Sequence, residues 1–314
     1  MNILLIATGG TIGSAFDGVS INVRADVQCA VAEEYAALHD GVRFDIKKPL
    51  NILSESLSAS DLNTLAGVLL QTDYSAYDGV ILTVGSDNLA HLSAFVSLLM
   101  HDCEKPVALV ATNLILSDPA ANGRENFSCA VELIKEGRAG VFVPYRNDDG
   151  VMYVHSAADI RQADLSENFY SFQGAYAVYD GAFREQRPYV RQTIPAVFDG
   201  EHLPCISNNV LLIHPYPLQD YSRLSTDGVR AVLHTLYHSA TLDSGAAHDF
   251  IASHADIPMY LASFRSGRKR YQTSVEAIAD GAIPLEDISP ECAYMKLLLA
   301  CAQTRLPIRE FMEG

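Results

Sequence analysis

The sequence lacks the features that mark several large classes of protein. No apolar run reaches the roughly 18 residues of a membrane-spanning helix, so we expect no membrane partner. The six cysteines are scattered without CxxC spacing and the ten histidines form no HExxH pattern, so neither a disulfide framework nor a metal site is indicated. Basic residues are scarce: 22 Lys and Arg stand against 38 Asp and Glu, for a formal net charge of −16. That balance argues against nucleic acid or an anionic membrane as a partner.

What the chain does contain is enough apolar sequence for a large core. A length of 314 residues with 49% hydrophobic residues predicts two domains. We expect an N-terminal domain over 1–190, a linker over 191–207 and a smaller C-terminal domain over 208–314. The scattered cysteines are typical of a reducing compartment, and no basic stretch precedes the first apolar run, so we interpret that run as a strand and predict a cytoplasmic location.

Strand and helix patterns alternate along the first half of the chain. Short apolar runs at 80–84, 106–111 and 139–144 have the length and composition of buried strands, and helical segments separate them. This alternation predicts an α/β fold in which the larger N-terminal domain contains a mostly parallel, doubly wound sheet. A second, smaller α/β unit is predicted towards the C-terminus.

Two of the predicted strands end in the same kind of turn. The run ILLIATGGTIG at 3–13 ends in two glycines and Thr11, and the run at 80–84 leads into Gly85, Ser86 and Asp87. The ligand crevice of an open α/β sheet lies outside the carboxyl ends of its strands. Two hydroxyls there favour nucleophilic acyl transfer, with backbone N–H groups of the glycine-rich turn holding the oxyanion. The alternatives are an ordinary Gly-Gly turn and, at Ser86 or Asp87, a helix N-cap.

These turns and two further segments resemble one known family. The chain is similar to the bacterial-type L-asparaginases and related glutaminases in four segments that occur in the family's order: ATGGTIG at 7–13, NILSESL at 51–57, DGVILTVGSDNLAHLSAFVSLLM at 78–100 and SPECAYMKLLLACAQ at 289–303. The resemblance implies a two-domain α/β fold with the active site in the larger domain. It also implies hydrolysis of L-asparagine to L-aspartate and ammonia without a cofactor, by a homodimer or homotetramer.

The resemblance assigns roles residue by residue. Thr11 matches the family's nucleophile, Ser86 its second hydroxyl, and Asp87 the carboxylate that holds the substrate's α-amino group. Ser54 matches the residue that binds the α-carboxylate, and Glu55 falls where the family commonly has Gln. Glu55 therefore adds a negative charge next to an anionic substrate group. The glycines of the two turns, Gly10 and Gly85, complete the predicted substrate-binding set.

The sequence departs from the family's pattern in three places. The hairpin at 12–23 has no Tyr, and Val19 or Ser20 falls where the family has one. No Lys lies between 136 and 268, although the family places one behind its second hydroxyl. Arg161 occupies about that position and is our candidate for the missing positive charge, although an arginine side chain stays protonated and cannot act as a base. His155 is the other candidate, because a histidine can take a proton near neutral pH. Val84 stands where the family has His.

The alternative for Arg161 is a surface charge without a catalytic role, and the alternative for His155 is an ordinary strand residue. The departures leave three functions open: an asparaginase-like amidohydrolase, an amino-acid-binding sensor or regulatory subunit, and an amidase for another amide. Substrate contact is also a hypothesis for His234 and for residues 237–239, the alternative being a satisfied polar cluster at a strand end.

Overall fold

The computed structural model describes residues 1–314, which separate into two compact units, Met1–Leu203 and Pro204–Gly314. Residues 191–203, which the sequence pattern placed in a linker, belong to the first unit. The fold class predicted from the sequence is confirmed: the first unit has a large, mostly parallel sheet with helices, and the second has a smaller parallel sheet with helices. None of the helices combines the length and apolarity that crossing a bilayer requires.

The first unit contains twelve strands and four α-helices, with single 3₁₀ turns at three strand or loop ends. The strands are β1 (Asn2–Ala7), β2 (Ser14–Phe16), β3 (Ile21–Val23), β4 (Arg43–Lys47), β5 (Gly79–Thr83), β6 (Pro106–Val110), β7 (Gly140–Arg146), β8 (Met152–Ser156), β9 (Ile160–Arg161), β10 (Tyr170–Ser171), β11 (Ala177–Tyr179) and β12 (Phe183–Glu185). The helices are α1 (Ala30–Leu38), α2 (Ala59–Gln71), α3 (Leu89–Leu99) and α4 (Gly123–Lys135), and the 3₁₀ turns are Thr11–Gly13, Ser54–Ser56 and Ser86–Asn88.

The main sheet has the strand order β12-β11-β8-β7-β6-β5-β1-β4. Strands β4, β1, β5, β6 and β7 run parallel, and β8, β11 and β12 extend the sheet in antiparallel pairs. The order reverses at β1, which has β4 on one side and β5 on the other. In open α/β sheets, ligands bind outside the carboxyl ends of the strands at this kind of switch point.

The core explains why β1 reads as an unbroken apolar run. Ile3 and Leu5 pack with α1 and α4 on one face of the sheet. The alternate residues, Leu4 and Ile6, point to the opposite face and are also fully buried. A strand covered on both faces needs apolar residues at every position, which is what the sequence supplies.

The second unit is a smaller parallel sheet with helices. Its strand order is β13-β14-β15-β16, all parallel. Its elements are β13 (Val210–Ile213), β14 (Ala231–Thr235), β15 (Met259–Phe264), β16 (Ile283–Glu286), α5 (Ala246–Ser253), α6 (Gln272–Ala279), α7 (Pro290–Cys301) and α8 (Ile308–Glu313), with a 3₁₀ turn at Tyr221–Arg223.

Candidate active site

The turns after β1 and β5 touch each other through their glycines. Gly9 and Gly10 have φ values of 108° and 75°, a region that favours glycine. A Cβ on Gly10 would lie 2.3 Å from the Cα of Gly85. Only glycine therefore lets the turn that carries Thr11 lie against the turn that carries Ser86.

A third segment is held to the first of these turns by backbone hydrogen bonds. The Ile52 N–H donates to the Thr8 carbonyl at 3.0 Å, and the Gly10 N–H donates to the Ile52 carbonyl at 2.9 Å. This pairing continues the order of the sheet beyond the end of β1. It brings Ser54 to Gly85, where an added Cβ would lie 2.3 Å from the Ser54 Oγ.

Side chains complete the connection between the Ser54 turn and the Ser86 turn. The Ser54 Oγ donates to Asp87 Oδ2 at 3.4 Å, and the Asn88 Nδ2 donates to the Ser54 carbonyl at 2.5 Å. Ser54 and Ser86 are buried, whereas Asp87 is exposed. A hydroxyl and a carboxylate thus face each other at the solvent-accessible edge of the site. Such a pair has the acceptor and donor groups that the head of an amino acid requires.

Gln162 makes a contact that the sequence pattern did not predict. Its Nε2 donates to the Ser86 carbonyl at 2.9 Å, and its Oε1 accepts from the Ala90 N–H at 3.1 Å. Arg161, the predicted source of positive charge, is the preceding residue and pairs with Tyr170 across β9 and β10. The sequence indicated Gln162 only by its position, one residue after Arg161, the residue predicted to supply the positive charge.

The structure argues against His155 as the missing base. His155 is 1% exposed, and its Nδ1 lies 2.8 Å from the Ser171 Oγ. Burial lowers the pKa of His155 to about 3. Its imidazole is therefore neutral and does not take up a proton near neutral pH, because the charged form would have to be desolvated. His155 as the proton acceptor stays a hypothesis, and its burial favours the alternative of an ordinary strand residue.

A second acidic side chain lies in the electrostatic neighbourhood of Asp87. The pKa of Glu167 is raised, first because the protein partly removes its carboxyl from water and also because Asp87 and Asp148 carry like charge. The buried Tyr145 Oη donates to Glu167 Oε2 at 3.4 Å. Glu55, on the same turn as Ser54, is exposed. The surroundings of the site therefore carry more negative charge than the predicted set alone implied.

The hairpin after Thr11 is anchored to the site but has no aromatic hydroxyl. Strands β2 and β3 pair directly, and the Ser14 Oγ donates to the Gly10 carbonyl at 2.9 Å. Val19, one of the two residues that fall where the resemblance calls for Tyr, is 91% exposed at the hairpin tip. The Asp17 carboxylate instead accepts from the Val19 and Ser20 N–H groups and closes the tip. No side chain of this hairpin supplies a Tyr hydroxyl.

His234 is satisfied inside the second unit. Its Nδ1 lies 2.5 Å from the Thr235 carbonyl, an acceptor, so Nδ1 carries the proton and Nε2 accepts from the Tyr221 Oη at 2.7 Å. Burial lowers the pKa of His234 to about 4. This geometry supports the interpretation of His234 as part of a polar cluster at a strand end. Tyr237 and His238, in the turn after β14, are exposed.

Comparison with known proteins confirms the family indicated by the sequence. Residues 2–195 match the family model described as Asparaginase, N-terminal. Because that match covers more than half of the chain, the protein belongs to the asparaginase family. The family, the fold and the switch-point location of the turns together define an asparaginase-like protein, and family membership supports a hydrolase that acts on amides.

Relatives with two different names cover most of the chain. It is 24% identical to an L-asparaginase of Thermococcus kodakarensis over 100% of this chain and 97% of the relative. It is 26% identical to one of the subunits of a glutamyl-tRNA(Gln) amidotransferase of Pyrococcus horikoshii, over 97% of this chain and 73% of the relative. These two names differ in the reaction they describe.

Solved structures show the same fold along the whole chain. The thermostable L-asparaginase from Thermococcus kodakarensis superposes with a TM-score of 0.79 at 21% identity, covering 100% of this chain and 97% of that one. A probable cytoplasmic L-asparaginase from Campylobacter jejuni gives a TM-score of 0.79 at 21% identity, covering 100% and 99%.

Proposed function

We propose that the protein hydrolyses the side-chain amide of L-asparagine, or a similar β-amide, with Thr11 as nucleophile. The observation that carries the proposal is the meeting of three turns at the β1–β5 switch point. One turn holds Thr11, one holds Ser54, and one holds Ser86 and Asp87. The family membership and the L-asparaginase relative support the same reaction class.

In this mechanism the Thr11 Oγ attacks the amide carbon and gives up its proton. The C–N bond then breaks, ammonia leaves with a proton, and water hydrolyses the resulting ester to aspartate. Ser86 relays the proton, and backbone N–H groups of the glycine-rich turn hold the oxyanion. Asp87 binds the substrate's α-ammonium and Ser54 its α-carboxylate. No cofactor takes part in this sequence of steps.

The experiment is Thr11→Val, which removes the hydroxyl and keeps the β-branched shape. We expect the variant to release no ammonia from asparagine while its thermal unfolding stays like that of the wild type. Thr64→Val is the matched control, because Thr64 is exposed on α2 and its hydroxyl bonds only its own helix at Ser60. Unchanged turnover in Thr11→Val would show that another group is the nucleophile.

A sensor or regulatory protein that binds an amino acid without turnover is the second candidate. The neutral, buried His155 and the exposed Val19 favour it, since neither replaces the helpers that the nucleophile needs. Calorimetry with asparagine and aspartate, beside an ammonia assay, distinguishes the two. Heat of binding with no ammonia from the wild type supports the sensor.

Other amides form a third candidate, favoured by the extra negative charge of Glu55 and Glu167 near the site. A panel of asparagine, glutamine, D-asparagine and amides without a free carboxylate tests this. We further propose a homodimer or homotetramer, which light scattering on the purified protein will measure.

A further inference from the structure

We propose that Gln162 is a positioning residue for this reaction: its side-chain amide clamps the Ser86 turn onto the start of α3. The inference rests on the proposed function, because it assigns Gln162 a role through Ser86. It concerns a residue for which neither the sequence motifs nor the resemblance provides a role.

Helix α3 has no side-chain cap of its own at its N-terminus, where Gln162 binds. The first N–H groups of a helix have no partner within that helix. Asn88, the N-cap residue of α3, makes no side-chain capping bond; its Nδ2 donates to the Ser54 carbonyl, on the neighbouring turn. The Oε1 of Gln162 accepts from the Ala90 N–H at 3.1 Å and so satisfies a donor that Asn88 leaves open.

The other end of the same amide fixes the orientation of the Ser86 turn. The Ser86 carbonyl already accepts from the Leu89 N–H within the 3₁₀ turn. The Gln162 Nε2 donates to that same carbonyl at 2.9 Å. One planar group therefore holds both ends of a five-residue segment, 86–90, at a set spacing.

The clamp comes from a distant and ordered part of the chain. Gln162 follows β9 directly, and β9 is paired with β10 and lies against α3. The family resemblance calls for a cation in this stretch, behind the second hydroxyl. Here a neutral amide holds the backbone of that hydroxyl residue. Gln162 thus supplies position without supplying charge.

Loss of the two Gln162 hydrogen bonds should lower kcat, because a small displacement of a group that must be positioned slows the reaction. We expect Gln162→Leu, which loses both bonds, to lower kcat by roughly 10- to 100-fold. Gln162→Glu has the same shape and keeps an acceptor for the Ala90 N–H but loses the donor to Ser86. We expect a similar fall in kcat, with KM changed by less than about threefold in both variants.

Hydrogen exchange separates positioning from a general loss of structure. The Ala90 amide should exchange faster in Gln162→Leu and stay protected in Gln162→Glu. Gln272→Leu is the control, since Gln272 is exposed on α6 and its Nε2 donates only to Glu276 on the next turn. It should match the wild type in both measurements.

An unchanged kcat in Gln162→Leu, with wild-type activity present, overturns the inference. If the wild type releases no ammonia from any amide, the proposed function has failed, and the positioning role of Gln162 is then tested by hydrogen exchange and calorimetry. In that case unchanged exchange at Ala90 and unchanged heat of aspartate binding in Gln162→Leu overturn it.

Discussion

The buried His155 makes the stability of the protein sensitive to acid. Its ring is enclosed beside β10, with Nε2 lacking any partner, and burial lowers its pKa from 6.5 to about 3. In the unfolded chain the ring returns to water and to its ordinary pKa. The unfolded state therefore binds a proton between about pH 6.5 and pH 3 that the folded state does not bind.

The direction in which pH changes the stability depends on which state, folded or unfolded, binds more protons. Because the unfolded state binds more, the free energy of unfolding falls as the pH falls through that window, by about 1.4 kcal/mol per pH unit. At about pH 5 the loss from His155 alone is about 2 kcal/mol, relative to a pH well above 6.5. That is a large part of the ~5–15 kcal/mol that stabilises a typical domain.

The perturbation is His155→Asn, which removes the titrating ring and keeps a short polar group towards Ser171. Packing loss lowers the variant's stability at every pH, so the measured quantity is the difference between about pH 7 and about pH 5. We expect that difference to be about 2 kcal/mol smaller in the variant than in the wild type.

Urea denaturation followed by far-UV circular dichroism is the assay, since the chain has no tryptophan for fluorescence. His238→Asn is the control, because His238 is exposed and its ring stays in water in both states. An equal loss of stability with acid in His155→Asn and the wild type would refute the reasoning, since it would show that the buried ring takes up its proton while folded.

Two further predictions test the glycine contact and a helix cap. Gly85 has φ −84° and ψ 154°, which alanine tolerates, so Gly85→Ala isolates the clash with Ser54; we expect activity to be lost and stability to fall by ~1–3 kcal/mol in urea denaturation, and full activity would contradict the close approach. The Ser289 Oγ accepts from the Cys292 N–H at the start of α7, so Ser289→Ala should cost about 1 kcal/mol of stability without changing KM for asparagine. A change in KM there would contradict a purely structural cap.

The candidate site was predictable from the sequence to the extent that it follows strand ends. Thr11 and Ser86 each follow an apolar run and a glycine, and parallel strands place their carboxyl ends at one edge of a sheet. That rule brings the two turns to one edge without any knowledge of side-chain contacts. Their roles in catalysis remain predictions.

Gln162 and the state of His155 could not be predicted in this way. Gln162 meets Ser86 across a separation of 76 residues, through a short antiparallel pair that the sequence pattern does not mark. His155 has an ordinary histidine's chemistry until burial removes its hydration, and burial depends on what the rest of the chain packs around it.

The sequence by itself determined the α/β class, the two switch-point turns and the positions where glycine is required. These are local properties: the period of apolar residues, the length of each run and the backbone freedom of Gly9 and Gly10. Only the tertiary structure decided which polar groups hold the Ser86 turn, which histidines are neutral and how much negative charge surrounds Asp87. Those depend on distances and desolvation between segments far apart in the chain, which no local pattern records.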